Sequence, residues 1–197
     1  MQLNKKFSLA LSLAAMAASL SFATHASAQN LVTNGDFETG DLTAWTESPG
    51  SGDTSVTTPF DGFTPFGNDA AYFGAVGFVD YISQTLATTA GQTYDLNFEF
   101  GSDGATPNEF IVTWDGTTLS DQVNIPATGG FVDVDFTGLV ASTNSTTLSF
   151  GGRNDPAYLA LDNVSVTAVP EPATVALFLG AGSLGFVALR RRKARSA

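Results

Sequence analysis

The chain has 197 residues, with 19 acids against 8 bases, one histidine, no cysteine and a formal charge of −11. Residues 29–168 hold eighteen of those acids and one base, Arg153, so this stretch has a formal charge of −17. There, disulfides, Ser-His-Asp and Cys-His catalysis, Schiff-base lysines and nitrogen- or sulfur-ligated zinc and copper are excluded. Nucleic acid is excluded as a partner too, since nothing neutralises phosphate. Carboxylate chemistry and oxygen-ligated cations are left.

Residues 1–28 read as a secretory signal peptide. Lys5 and Lys6 form the positive start, Phe7 to Phe22 the apolar stretch, and Ala26-Ser27-Ala28 the small-residue cleavage site. The mature chain then starts at Gln29, and residues 29–168 form a single passenger domain with room for a core. Strands are predicted at Phe78–Ala87, Thr93–Gly101, Glu109–Trp114, Gly130–Val140, Thr146–Gly151 and Tyr158–Val166. Alternation is clear in Tyr94-Leu96-Phe98-Phe100, Phe110-Val112-Trp114 and Val132-Val134-Phe136, with Asp133 and Asp135 turned to water. Asp115-Gly116 suits a type I′ hairpin turn. No stretch sustains a 3.6-residue period. The expected fold is all-β: a single β-sandwich, jelly-roll-like.

The last strand breaks its own pattern. Leu159 and Leu161 share one parity, Val164 and Val166 the other. A bulge at Asp162-Asn163, or a crossing between sheets there, returns both pairs to the core.

The loop from Pro59 to Asp69 is the sequence's candidate for ligand binding, through Phe60, Asp61, Phe63, Phe66, Asn68 and Asp69. Sugars present apolar C–H faces and many hydroxyls, which aromatic rings and nearby Asp or Asn side chains complement. The competing reading tucks the same Phe residues under the sandwich as a satellite core. Trp45 and Trp114 read as core, and Tyr72 and Tyr81 are further aromatics that no spacing singles out. A glycosidase would need two carboxylates about 5–9.5 Å apart. Nothing in the sequence marks such a pair, so no enzyme is expected.

Residues 169–197 end the chain with Val169-Pro170-Glu171-Pro172, an uncharged run from Ala173 to Leu189, and Arg190-Arg191-Arg192-Lys193-Ala194-Arg195. Pro170 and Pro172 stop the upstream ladder. The run makes a helix of roughly 25 Å, just short of a bilayer's hydrocarbon core. The basic cluster keeps its end cytoplasmic. This segment resembles the PEP-CTERM sorting signal of Gram-negative bacteria. The resemblance implies recognition of Pro170, Glu171 and Pro172 by an exosortase, a membrane transpeptidase that releases or re-attaches the passenger. An unprocessed anchor is the alternative.

The passenger's opening, Asn30-Leu31-Val32-Thr33-Asn34-Gly35-Asp36-Phe37-Glu38-Thr39-Gly40 with Leu42 and Trp45, carries a second resemblance. With Trp114-Asp115-Gly116 and Leu161-Asp162-Asn163-Val164-Ser165-Val166, it resembles galactose-binding-like jelly rolls and carbohydrate-binding modules. That resemblance implies first and last strands lying together, and a structural calcium held by Glu38, Asp162 and backbone carbonyls. Asp162-Asn163 departs from the two acids of many relatives. The expected protein is an exported cell-surface or exopolysaccharide-associated one, a non-catalytic carbohydrate-binding or matrix module. The alternatives are an adhesion protein without a defined glycan and a carboxylate-dependent glycoside hydrolase. Expected partners are the exosortase, extracellular polysaccharide and, transiently, the inner membrane.

Overall fold

The described residues form ten antiparallel strands in two five-stranded sheets, the longer ones where period-two alternation predicts them. The computed structural model describes residues 29–49, 53–58, 67–155 and 157–170. The expected signal peptide, Phe60 to Phe66 of the candidate loop, and the sorting segment beyond Pro170 lie outside the described residues.

The strands are β1 (Thr46–Ser48), β2 (Thr54–Thr57), β3 (Ala70–Phe73), β4 (Asp80–Ala87), β5 (Thr93–Ser102), β6 (Asn108–Trp114), β7 (Thr117–Val123), β8 (Val132–Val140), β9 (Ser145–Asn154) and β10 (Leu159–Ala168). One sheet has the order β1-β4-β9-β6-β7 and the other β2-β3-β10-β5-β8. All six predicted strands form, with ends shifted by up to three residues. β1 and β2 are short and polar, and β3 is buried along its whole length, so none of the three shows an alternating pattern.

Between the sheets the inward residues make one core, and its aromatic centre is dense. Phe98 meets Phe150 edge-on at 5.0 Å, Phe100 lies 4.4 Å from Phe110, and Phe37 stacks on Trp45 at 5.7 Å. Phe98 and Phe150 are almost fully buried, and truncating such a ring to Ala typically costs about 3–5 kcal/mol. Trp45 and Trp114 are core residues, as expected, and each satisfies its indole N–H on a backbone carbonyl, of Asn34 and Val140 respectively.

β10 contains the anticipated bulge. Its register against β5 shifts between Asp162 and Ser165, and Asn163 takes a left-handed φ of 50°. The extra residue returns Val164 and Val166 to the core. It also docks the passenger's start. Val164 N–H donates to Gly35 O at 2.8 Å, and a side chain at Gly35 would collide with the Val164 carbonyl. Leu31 N–H donates to Val166 O at 2.9 Å, and Asn30 bridges to Thr167. First and last segments therefore lie together. Asp115 and Gly116 have φ of 50° and 77°, the paired positive values of a type I′ turn.

Candidate functional site

On the β1-β4-β9-β6-β7 sheet, Ile82, Leu86, Leu148, Phe150, Phe110 and Val112 point into the core. Residues of the opposite parity must then face outward. Pairing aligns them in rows across the sheet. Tyr81 lies opposite Gly151, Gly151 opposite Ile111, and Ile111 opposite Asp121. In the next row Arg153 lies opposite Glu109, and on the other side Ser83 lies opposite Ser149 and Ser149 opposite Thr113.

The Tyr81 ring lies across its partner. A Cβ on Gly151 would meet ring Cδ1 at 2.7 Å and Val79 Cγ1 at 2.8 Å, so the glycine is what lets the ring settle on the sheet. Burial raises the phenol's pKa, and the neighbouring charges of Glu109 and Asp121 raise it further. Beside the ring, Arg153 Nε lies 3.6 Å from Glu109 Oε2, and both side chains are about one-quarter exposed (25% and 24%). The face thus combines a half-buried aromatic ring, its hydroxyl, a guanidinium, two carboxylates and a polar Ser/Thr row. Those are the groups that suit a sugar's apolar faces and hydroxyls. Sequence reasoning left Tyr81 among several aromatics. The available signals were the lone base Arg153 and the Gly151-Gly152 pair inside a strand, which marks close approach of another group.

Of the candidate loop, Phe60, Asp61, Phe63 and Phe66 lie outside the described residues. Asn68 and Asp69 close it, and Glu38 holds them. The Glu38 carboxylate accepts from Asn68 N (2.6 Å), Asn68 Nδ2 (2.9 Å) and Asp69 N (3.0 Å). These bonds, led by the Asn68 amide, lower the pKa of Glu38. A sugar at this loop would therefore meet Asn68 Oδ1 and the Asp69 carboxylate rather than the Asn68 donors.

Asp162 is fully buried on β10, where its Oδ1 accepts from Asn163 N at 2.6 Å. Among the described residues no three His, Cys, Asp or Glu side chains gather to hold a metal. An ion beside Glu38 or Asp162 would take most of its ligands from backbone carbonyls and water, which calcium accepts. Pro170 ends the described chain in an exposed position, and Glu171 and Pro172 lie beyond it.

Two other places are poorer sugar sites. Tyr72 is buried with Ala70 and Ala160 against Phe131 and Tyr158, which makes it packing rather than platform. A cleft of about 240 Å³ opens between β7 and β8, lined by Phe98, Phe100, Phe110 and Phe136 with only Ser120, Gln122 and Thr128 as polar groups. The outer face of the second sheet is acidic. There Asn97 donates to both Asp133 and Asp135, and burial, with those two charges, raises the pKa of Glu99.

The fold is a jelly-roll-like β-sandwich. It is similar to TmCBM61 in complex with beta-1,4-galactotriose at 17% identity and a TM-score of 0.58, covering 72% of this chain and 99% of that one. It is similar to the CBM22-1 xylan-binding domain from Paenibacillus barcinonensis Xyn10C at 17% identity and a TM-score of 0.51, covering 74% and 98%. The enzymatically active domain of Bacteriophage CBA120 tailspike protein 4 matches at 19% identity and a TM-score of 0.54, over 71% of this chain but 21% of that one. Behind the jelly roll, residues 168–193 match the PEP-CTERM protein-sorting motif. No curated protein matches the chain by sequence.

Proposed function

We propose that this chain is an exported carbohydrate-binding protein that lays its glycan across Tyr81 on the outer face of β4, β9 and β6 and does not cleave it. The observation that carries the reading is the Tyr81 ring seated on Gly151 beside Arg153 and Glu109. The jelly-roll likeness supports it. In the same reading the PEP-CTERM tail holds the passenger at the inner membrane until an exosortase acts at Pro170, Glu171 and Pro172. The product ends at the cell surface or outside the cell. The Phe60–Asp69 loop is a second contact for the polysaccharide. Calcium enters as a structural ion near Glu38 and Asp162, closing the two ends of the passenger.

The test is retention on a panel of neutral polysaccharides, galactan and xylan among them, for the wild type, Tyr81→Ala and the Phe63→Ala/Phe66→Ala double variant. A sugar packs its C–H face on the ring, and truncating an aromatic anchor at a binding surface costs about 1–3 kcal/mol. Tyr81→Ala should therefore weaken retention roughly 5- to 150-fold with little loss of melting temperature. Undiminished retention in that variant would remove the face, and the double variant reports on the loop. Release of reducing sugar by the wild type would overturn the non-catalytic reading. Diffuse association that never saturates would favour a matrix or adhesion role instead.

A further inference from the structure

We infer that the Tyr81 face prefers a polysaccharide bearing protonated amino sugars over a neutral or uronic-acid polymer. This rests on the carbohydrate-binding reading of the same face and names its substrate class.

The charged side chains on that face are Glu109, Asp121 and Arg153, so its own sum is −1. Among the described residues, neither the Glu109 nor the Asp121 carboxylate accepts a hydrogen bond, and the contact from Arg153 Nε to Glu109 is 3.6 Å, too long to be one. The opposite face differs. Asp133 and Asp135 both accept from Asn97, and Asp95 accepts from Gly138 N at 3.0 Å. Glu99 on that face accepts none either, so what sets Glu109 and Asp121 apart is their place beside the aromatic platform. Burial first, and then the charges of Glu109 and Asp121, raise the phenol pKa of Tyr81.

A neutral hydroxyl can use such an acceptor, but an ammonium group uses it better. It brings three donors, no acceptor, and a charge that makes the hydrogen bond roughly twice as strong. A ring stacked on Tyr81 places its substituents towards Glu109 on β6 and Asp121 on β7, one row apart in the register. A carboxylate-bearing sugar in the same pose meets two acids against a single arginine.

Distance decides how far the rest of the passenger contributes. Its formal −17 is mostly elsewhere, and the acids of the second sheet stand a sandwich thickness away, about 10 Å or more. The Debye length at physiological salt is about 8 Å, so those charges are largely screened and the face's own acids set the preference.

The experiment compares the affinity of the full chain, held in detergent, for a β-1,4-linked glucosamine hexamer and for its N-acetylated counterpart. The deacetylated hexamer should bind about fivefold tighter at low salt, the upper end for an exposed ion pair. The ratio should approach one near 1 M salt, where the Debye length is about 3 Å. Asp121→Asn should lower the ratio. Asp133→Asn removes the same formal charge from the other face and should leave it unchanged. Equal affinities for the two hexamers, or equal effects of the two variants, would overturn the inference. Saturable binding that favours the acetylated hexamer overturns it as well, yet leaves the carbohydrate reading in place. If neither hexamer binds, the inference falls, and retention on the neutral polysaccharides decides the carbohydrate reading separately.

Discussion

Asn68 is tied to Glu38 twice, through its backbone N–H at 2.6 Å and its side-chain amide at 2.9 Å, thirty residues away in sequence. The bonds need an ionised carboxylate, and they hold its pKa below the ordinary 4.5. For a carboxylate depressed in the folded state, the stabilisation is complete above the unfolded value and is lost as pH falls through the folded one. The protection of the Asn68 and Asp69 amides, measured against intrinsic exchange at each pH, should therefore hold above pH 4.5 and fall only well below it. Glu38→Ala should lack that protection at every pH. Protection that ignores both the acid and the variant would dissolve the clamp.

The adjacent glycines of β9 face opposite ways, and their alanine variants should separate binding from folding. Gly151→Ala puts a methyl under the Tyr81 ring, so glycan retention should fall while the denaturation midpoint changes little. Gly152→Ala drives its Cβ to 2.6 Å from Phe73 Cβ, within the core. Overpacking of that kind costs about 1–3 kcal/mol. Chemical denaturation and a binding assay on the two variants give the comparison, and similar profiles for both would contradict the assigned faces.

Asn108 staples two connections. Buried at 1% exposure, it donates to Ala105 O (2.6 Å) and Ile125 O (3.0 Å) and accepts from Ile125 N (2.7 Å). Asn108→Ala strands Ala105 O and Ile125 N, while Ile125 O keeps the Ser102 hydroxyl at 3.2 Å, at a total of about 2–4 kcal/mol. Urea unfolding should show that loss. A change under about 0.5 kcal/mol would mean that solvent reaches those groups.

Calcium should raise the unfolding temperature if it closes the passenger's ends. An ion at a hundred times its dissociation constant adds roughly 2.7 kcal/mol when it binds only the native state. Thermal scans with calcium and with chelator measure this directly, and Asp162→Asn should shrink the difference. Superimposable scans would eliminate the ion.

The sorting motif makes a cellular prediction. With Pro170, Glu171 and Pro172 changed to alanine, the protein should accumulate at the membrane with its basic tail attached. An antibody against the tail reads the outcome, and normal tail removal in the variant would show that the three residues are dispensable.

Sequence made the long strands legible because Tyr94 to Phe100 and Phe110 to Trp114 each bury one face and wet the other. It made the β10 bulge legible because parity changes sides between Leu161 and Val164. β3 was opaque for the opposite reason: Ala70 to Phe73 is buried on both faces, leaving no alternation to read. The Tyr81 face was opaque because Gly151 and Asp121 reach it only through sheet register, seventy and forty residues along the chain. A lone arginine among eighteen acids hinted that its strand was unusual, without saying what stood beside it.

β10 lies in the middle of its sheet, paired with β3 on one side and β5 on the other, and its last residues stay tied through Val169 N–H to Thr93 O and Gln92 Nε2 to Val169 O. The sorting tail continues directly from this strand. A pull on the tail therefore runs along β10 and loads both ladders in shear, so many hydrogen bonds must yield together rather than unzip one at a time. Had the tail followed an edge strand such as β8, the same force would peel the sheet open. On the proposed reading, tension between a bound polysaccharide and a membrane-held tail enters the fold along this central strand.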